Sequence, residues 1–202
     1  MRTLLRKSFI HLKDTSMAAL LSSIIICSFP VVSYALNWST GNNIAGIVGI
    51  NAIAYGGGTF VAGDGSGNVY TSATNGASWS AANNITGPGK YIAAIAYGGG
   101  IFVACESRGN IYTSNTNGAS WSAGTNIIVP GNRINAIAYG GGTFVVGDDS
   151  GNVYTSNTNG VSWSAANNIA GGNRIWAIAY GGNTFIAGGD SGDIYTSANG
   201  TN

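Results

Sequence analysis

Charge is what this sequence has least of. Only 7% of its 202 residues are Asp, Glu, Lys or Arg, against about 25% in an ordinary soluble chain, and the formal charge is +1. Binding to nucleic acid needs a basic face that displaces counterions from phosphates, so this balance excludes nucleic acid as the partner. Histidine is nearly missing as well. The one copy, His11, lies among the first 35 residues with Arg2, Arg6, Lys7 and Lys13. Residues 36–202 therefore hold no histidine, and their four basic and six acidic side chains leave a net charge of −2. That excludes Ser-His-Asp and Cys-His catalysis and any histidine-ligated metal centre there, and neither a cofactor nor a metal is expected. Cysteine is scarce too: with Cys27 in the leader, Cys105 stands alone in 36–202. No disulfide within that part is available, and packing must supply the stability.

The first 35 residues have the make-up of an export signal. A basic stretch precedes an apolar run from Met17 to Phe29, and Ser33-Tyr34-Ala35 supplies a small-x-small cleavage site, giving a mature chain from Leu36. The uncharged run from Met17 to Leu36 nearly spans a bilayer and is alternatively an uncleaved anchor. Either way 36–202 faces outward as a single domain, secreted or periplasmic, with no membrane contact beyond the signal.

What the sequence has in abundance is glycine, 33 residues of it, placed periodically. Ala-Ile-Ala-Tyr occurs at 52–55, 94–97, 136–139 and 177–180, and tryptophan at 38, 79, 121 and 163, all at intervals of 41 or 42 residues. Each unit has four segments rich in β-branched and aromatic residues. In the first unit they are Ile50 to Tyr55, Thr59 to Ala62, Asn68 to Ser72 and Ser78 to Ala82, strands A to D, divided by Gly56-Gly57-Gly58, Gly65-Ser66-Gly67 and Thr74-Asn75-Gly76. Residues that tolerate positive φ between short β segments predict antiparallel strands joined by tight turns.

A four-stranded meander repeated every ~42 residues is the unit of a β-propeller. The expected fold is all-β, with repeats near 51–92, 93–134, 135–175 and 176–202. Strand A should be innermost, its alanines on one face and its isoleucines and tyrosines filling the space between blades. The fourth D segment is missing after Asn202, while an orphan one, Asn37-Trp38-Ser39-Thr40, lies near the N-terminus. Pairing residues 36–43 with the last blade would close a four-bladed ring and cap an open sheet edge. Pairing between chains instead would give a larger ring or a strand-exchanged oligomer in place of a monomer.

The turn before each tryptophan reads Ser72-Ala73-Thr74-Asn75-Gly76-Ala77-Ser78-Trp79, and it recurs at 114–121 and 156–163. It resembles the BNR or Asp-box repeat, Ser-x-Asp-x-Gly-x-Thr-Trp, with the Asp replaced by Thr74, Thr116 and Thr158. The resemblance covers 37–202 and implies a propeller with the box between strands C and D. A threonine hydroxyl can still accept the backbone hydrogen bond of such a turn. Propellers of this kind include sialidases, assembly factors of the photosystem II type, and secreted modules that bind sugar or protein. A sialidase has six blades, an arginine triad, an acid/base Asp and a Tyr-Glu pair. Here only Arg108, Arg133 and Arg174 are present, with no Phe-Arg-Ile-Pro motif, although Arg133-Ile134 and Arg174-Ile175 occupy equivalent places.

Because strands alternate in direction, B–C turns and D–A loops emerge on one face and the other turns on the opposite one. Every charge of 36–202 falls on the first face. Asp148, Asp149 and Arg108 belong to B–C turns, while Lys90, Tyr91, Arg133, Arg174 and Trp176 belong to D–A loops. These eight are the expected ligand-binding residues. Loops on a rigid scaffold commonly carry function, and an indole beside an arginine can stack a sugar or hold an acidic group. The alternative for Trp176 is that it fills core volume. The expected function is a non-catalytic module recognising a glycan or a partner protein through this face. The alternatives are a sialidase-like glycosidase using Arg133, Arg174 and a carboxylate, and a structural or assembly scaffold.

Overall fold

The computed structural model describes residues 40–201 except 47 and 129. The leader, its cleavage site and Asn37-Trp38-Ser39 lie outside the described residues. From Asn42 onward the chain forms one unit of its own. Its first sheet contains β1 (Ile50–Gly56), β2 (Thr59–Asp64), β3 (Asn68–Ser72) and β4 (Asn83–Asn84), hydrogen-bonded in that order. The second repeats it with β5 (Ile92–Gly98), β6 (Ile101–Glu106), β7 (Asn110–Ser114) and β8 (Thr125–Asn126). The third does so with β9 (Ile134–Gly140), β10 (Thr143–Asp148), β11 (Asn152–Ser156) and β12 (Asn167–Asn168). The fourth has three strands among the described residues, β13 (Ile175–Gly181), β14 (Thr184–Gly189) and β15 (Ile194–Ser197). Every pairing is antiparallel, with Gly56 opposite Thr59 across a two-residue turn. Gly57 and Gly58 of that turn both have positive φ, 55° and 77°, the backbone that matches strand twist and that side chains resist.

The repeats differ from the sequence expectation in the fourth strand. Ser78 to Ala82 is not a strand, and the D pairing is confined to Asn83–Asn84 and its counterparts. Thr71 pairs with Ser80, whose hydroxyl, not its carbonyl, accepts the Thr71 amide at 3.0 Å. Farther along, Val69 faces Asn83. Between these two pairings strand D gains one residue, a bulge that breaks the ladder. Strand A carries a bulge as well. Ile50 pairs with Asp64 and Ala52 with Gly63, leaving Asn51 extra, and the same shift singles out Ala93, Asn135 and Trp176.

The inner strands lie side by side in the order β1, β5, β9, β13. Small residues on the rear of one blade receive large ones on the front of the next. Ala52, Ala54, Val61 and Val69 pack with Ile92, Ile95, Tyr97 and Phe102, and Val103, Cys105 and Ile111 pack with Ile134, Tyr139 and Phe144. Each apolar side chain fully buried at such a seam contributes about 1.5–3 kcal/mol. The fit depends on glycine: a Cβ on Gly56, Gly98 or Gly140 would lie 2.0 Å from the ring of Tyr97, Tyr139 or Tyr180. The closing strand expected within 36–43 falls largely outside the described residues, and 40–43 carry no strand.

Candidate functional site

The B–C turn of each of the first three blades is built on one buried acid. Asp64, fully enclosed, accepts the Ser66 and Asn68 amides at 2.8 and 2.9 Å through Oδ1, and the Asn68 amide group and Tyr70 hydroxyl at 2.8 and 2.9 Å through Oδ2. Burial raises its pKa, but these hydrogen bonds outweigh that and hold the carboxyl below its ordinary value. Glu106 stands at the same place in the second blade, where it accepts the Arg108 amide at 2.6 Å and draws the Lys90 ammonium to 3.7 Å.

Asp148 is the third of this set, which revises its expected role. It is fully buried, and five donors occupy it: the Ser150 and Asn152 amides, the Asn132 and Asn152 side chains, and the Tyr154 hydroxyl, all at 2.8–3.1 Å. A carboxylate so enclosed shapes the turn and does not face a ligand. Arg108 is exposed at the tip of the second B–C turn. Neither it nor Lys90, held toward Glu106, lines the cleft described next.

The other five residues come together. Tyr91, Arg133, Asp149, Arg174 and Trp176, with Gly131 and Asn135, line a cleft of about 550 Å³ on the loop face. Its shape follows from a backbone pairing made twice. The Asp149 amide donates to the Arg133 carbonyl at 2.9 Å, and Asp149 Oδ1 accepts the Arg133 amide at 2.9 Å. In the next blade the Asp190 amide donates to the Arg174 carbonyl at 3.1 Å, and Asp190 Oδ2 accepts the Arg174 amide at 3.3 Å. Each aspartate therefore ties the backbone of an arginine and leaves its guanidinium to solvent. Among the described residues no carboxylate lies within ion-pair distance of Arg133 or Arg174.

Trp176 is the bulge residue of β13, and the bulge aims its indole outward; half of it is exposed. Its Nε1 donates to Asp190 Oδ1 at 2.6 Å, and the Arg174 guanidinium lies 5.4 Å from the ring centre. The hydrogen bond from the indole first, then that from the Arg174 backbone, and last the nearby Arg174 charge hold the Asp190 carboxyl below its ordinary value. Sequence reasoning did not count Asp190 among the site residues. The signal available was its place one residue past Gly189, where Asp149 follows Asp148.

On the opposite face the tryptophan turns repeat a fixed hydrogen-bond set. The Ser72 hydroxyl accepts the Gly76 amide at 3.0 Å, Thr74 Oγ1 accepts the Ser78 amide at 2.9 Å, and Trp79 Nε1 donates to the Gly76 carbonyl at 3.1 Å. The second and third copies match. In the shortened fourth copy the Ser197 hydroxyl still accepts the Gly200 amide at 2.8 Å.

No protein-family model and no curated protein sequence matches the chain. Solved structures do. The computationally designed Ika4 protein is similar at 14% identity and a TM-score of 0.61, over 80% of this chain and all of that one. The Cps50 (Swd1) β-propeller domain of Myceliophteria thermophila is similar at 13% identity and a TM-score of 0.57, over 73% of this chain. The GH74 enzyme of Niastella koreensis is similar at 25% identity and a TM-score of 0.54, over 76% of this chain. The chain spans 51% of the Cps50 domain and 23% of the GH74 enzyme. With four repeated antiparallel sheets and these neighbours, the fold is that of a β-propeller with four blades.

Proposed function

We propose that the protein is an exported, non-catalytic binding module of the Asp-box kind, which holds an acidic glycan in the cleft between Tyr91 and Trp176. One observation carries this reading: two guanidiniums, Arg133 and Arg174, neither within ion-pair distance of a carboxylate among the described residues, stand beside an exposed indole in one cleft. Arginine binds a carboxylate through two parallel hydrogen bonds, and an aromatic face supports the apolar side of a sugar ring. Tyr91 adds a second aromatic ring to the lining of the same cleft.

The geometry favours binding over glycoside hydrolysis. A general acid needs a carboxyl whose pKa is raised toward neutrality, whereas Asp190 is shifted the opposite way. The Asp149 carboxylate is engaged with the Arg133 amide. The threonine box, with its hydroxyl serving the turn where the family has a carboxylate, supports the family resemblance and assigns that motif to folding.

The test is a glycan array probed with the wild type and with the Arg133→Ala/Arg174→Ala/Trp176→Ala variant, both checked by circular dichroism. Selective retention of carboxylated glycans, lost in the folded variant, is expected. A blank array with capture of an envelope protein by the same face would replace the glycan with a protein ligand. Turnover of a fluorogenic sialoside that vanishes in Arg133→Ala would overturn the non-catalytic reading.

A further inference from the structure

The seams between blades define what each blade face is built to meet, and two such faces meet nothing among the described residues. On the rear of the fourth blade Ile186 and Ile194 are 44% and 66% exposed. Their counterparts one, two and three repeats earlier are Val145, Val103 and Val61, and Val153, Ile111 and Val69, none more than 4% exposed. On the front of the first blade Ile53 and Tyr55 are 60% and 56% exposed, while Ile95, the counterpart of Ile53, is 8% exposed. Ile50 is open as well, where Ile92, Ile134 and Ile175 are completely buried. The outer part of that front face, at Ala62 and Tyr70, is covered, so the open part is the inner strip.

At their inner strips the two faces are the counterparts of a joint the chain already makes three times. Tyr97, Tyr139 and Tyr180 each lie on the glycine at the end of the preceding inner strand, so close that a Cβ there would sit 2.0 Å from the ring. Tyr55 has no such glycine, and Gly181, at the corresponding place in β13, has nothing within 4 Å. Gly118, Gly160 and Gly200 each approach the valine and threonine of the blade before them, whereas Gly76 in the first blade meets nothing. Neither open face carries a charge that would oppose contact.

We infer that two copies of this chain join head to tail, the rear of the fourth blade of each receiving the front of the first blade of the other, and so close one ring of eight blades. This inference is independent of the glycan reading. The new joint continues an interface the fold already contains, with Tyr55 on the partner's Gly181 as Tyr97 lies on Gly56. The chain spans about half of the Cps50 propeller domain, so a second copy supplies a length like that of the remainder. Such a joint is heterologous, yet it closes after two chains and leaves no sticky end.

The test uses the full-length protein as its host processes it, weighed by native mass spectrometry and sedimentation velocity. A mass of two chains is expected, and a mass of one chain, or an open series of larger masses, would overturn the inference. Gly181→Leu adds a side chain where the free blade has room and the joint has none. This variant should keep its circular dichroism spectrum and fall to the mass of one chain, and a persistent two-chain mass would overturn the joint. Independently of that variant's folding, Tyr55→Cys/Gly181→Cys brings two thiols to disulfide distance only across the joint. A covalent pair of chains on a non-reducing gel is expected. A disulfide within a single chain would place the closure inside one molecule and refute the two-copy ring.

Discussion

Replacing Asp64 by alanine removes the carboxylate on which the first B–C turn is built. Four donors lose it: two backbone amides, the Asn68 side chain and the Tyr70 hydroxyl. Asn68 is half-buried and can turn its amide group to water, but Tyr70 is buried. An enclosed polar group left without its partner costs about 1–3 kcal/mol. With the tyrosine hydroxyl and one amide so affected, the loss is about 2–6 kcal/mol. At ~2–4 °C per kcal/mol for a domain of this size, a loss near the middle lowers the melting temperature by roughly 8–16 °C. Asp64→Asn should fall between alanine and wild type, since its oxygen still serves the two amides while its NH2 group opposes the Asn68 donor. The pH dependence has a definite sign. The folded carboxyl lies below its ordinary value, so its stabilisation is present above the unfolded pKa of ~3.9 and is lost as pH falls through the folded one. Urea melts followed by circular dichroism should therefore show the gap between wild type and Asp64→Asn shrinking below about pH 4. An alanine variant within ~0.5 kcal/mol of wild type, the range of an ordinary surface substitution, would refute the reasoning. So would a gap that stays constant from pH 7 to pH 3.

Gly98→Leu places a side chain in the ring of Tyr139 and should destabilise the protein by at least about 1–3 kcal/mol, the usual cost of overpacking; unchanged urea unfolding would deny the seam. Thr116→Asp substitutes a charged acceptor for the hydroxyl that receives the Ser120 amide at 2.9 Å, and a gain of about 1 kcal/mol is expected from the stronger bond, read as a higher urea midpoint. The Cys105 thiol is completely buried and its pKa is pushed up by that burial, so iodoacetamide at pH 8 should leave the Cys105 peptide unlabelled until denaturant is added. Rapid labelling of the native protein would contradict its place in the seam.

The parts of the fold that were legible in the sequence are those the chain says more than once. Ala-Ile-Ala-Tyr recurring near every 42 residues gave strand A and the blade count, because a periodic unit constrains every copy at once. Strand D was misplaced for a local reason. Ser78 to Ala82 alternates as a strand should, but the Ser80 hydroxyl takes the position of a backbone carbonyl, and the bulge that follows moves the ladder to Asn83 and Asn84. The site was half legible. Sequence could place Asp148 and Asp149 in the same turn but not separate their roles, which depend on which of the two points inward. The inward one accepts five hydrogen bonds and disappears from the surface; its neighbour ties Arg133 at the rim of the cleft. Trp176 was visible as an indole beside an arginine, at a position where Asn51, Ala93 and Asn135 stand in the other units, but the reason for its exposure is the strand A bulge, which no composition shows.

That bulge also links the cleft to the joint between copies. Asn51 Nδ2 reaches from the bulge of the first blade to the Ile92 carbonyl of the second, at 3.2 Å, and Asn135 Nδ2 makes the same reach to the Ile175 carbonyl at 3.1 Å. The bulge side chain is thus the one that spans a seam on the loop face. In the fourth blade that position is Trp176, whose indole turns back to Asp190. With a second copy in place, the strand ahead of Trp176 would begin at the partner's Ile50, as β5 begins at Ile92 ahead of Asn51. The wall of the cleft at Trp176 would then be finished by the partner, and ligand affinity and assembly would become thermodynamically linked. Gly181→Leu, which lies at the far end of β13 and touches none of the cleft residues, should under that linkage weaken glycan retention as well as halve the mass. Full retention by the single-chain variant would show the cleft to be complete in one copy and the two properties to be separate.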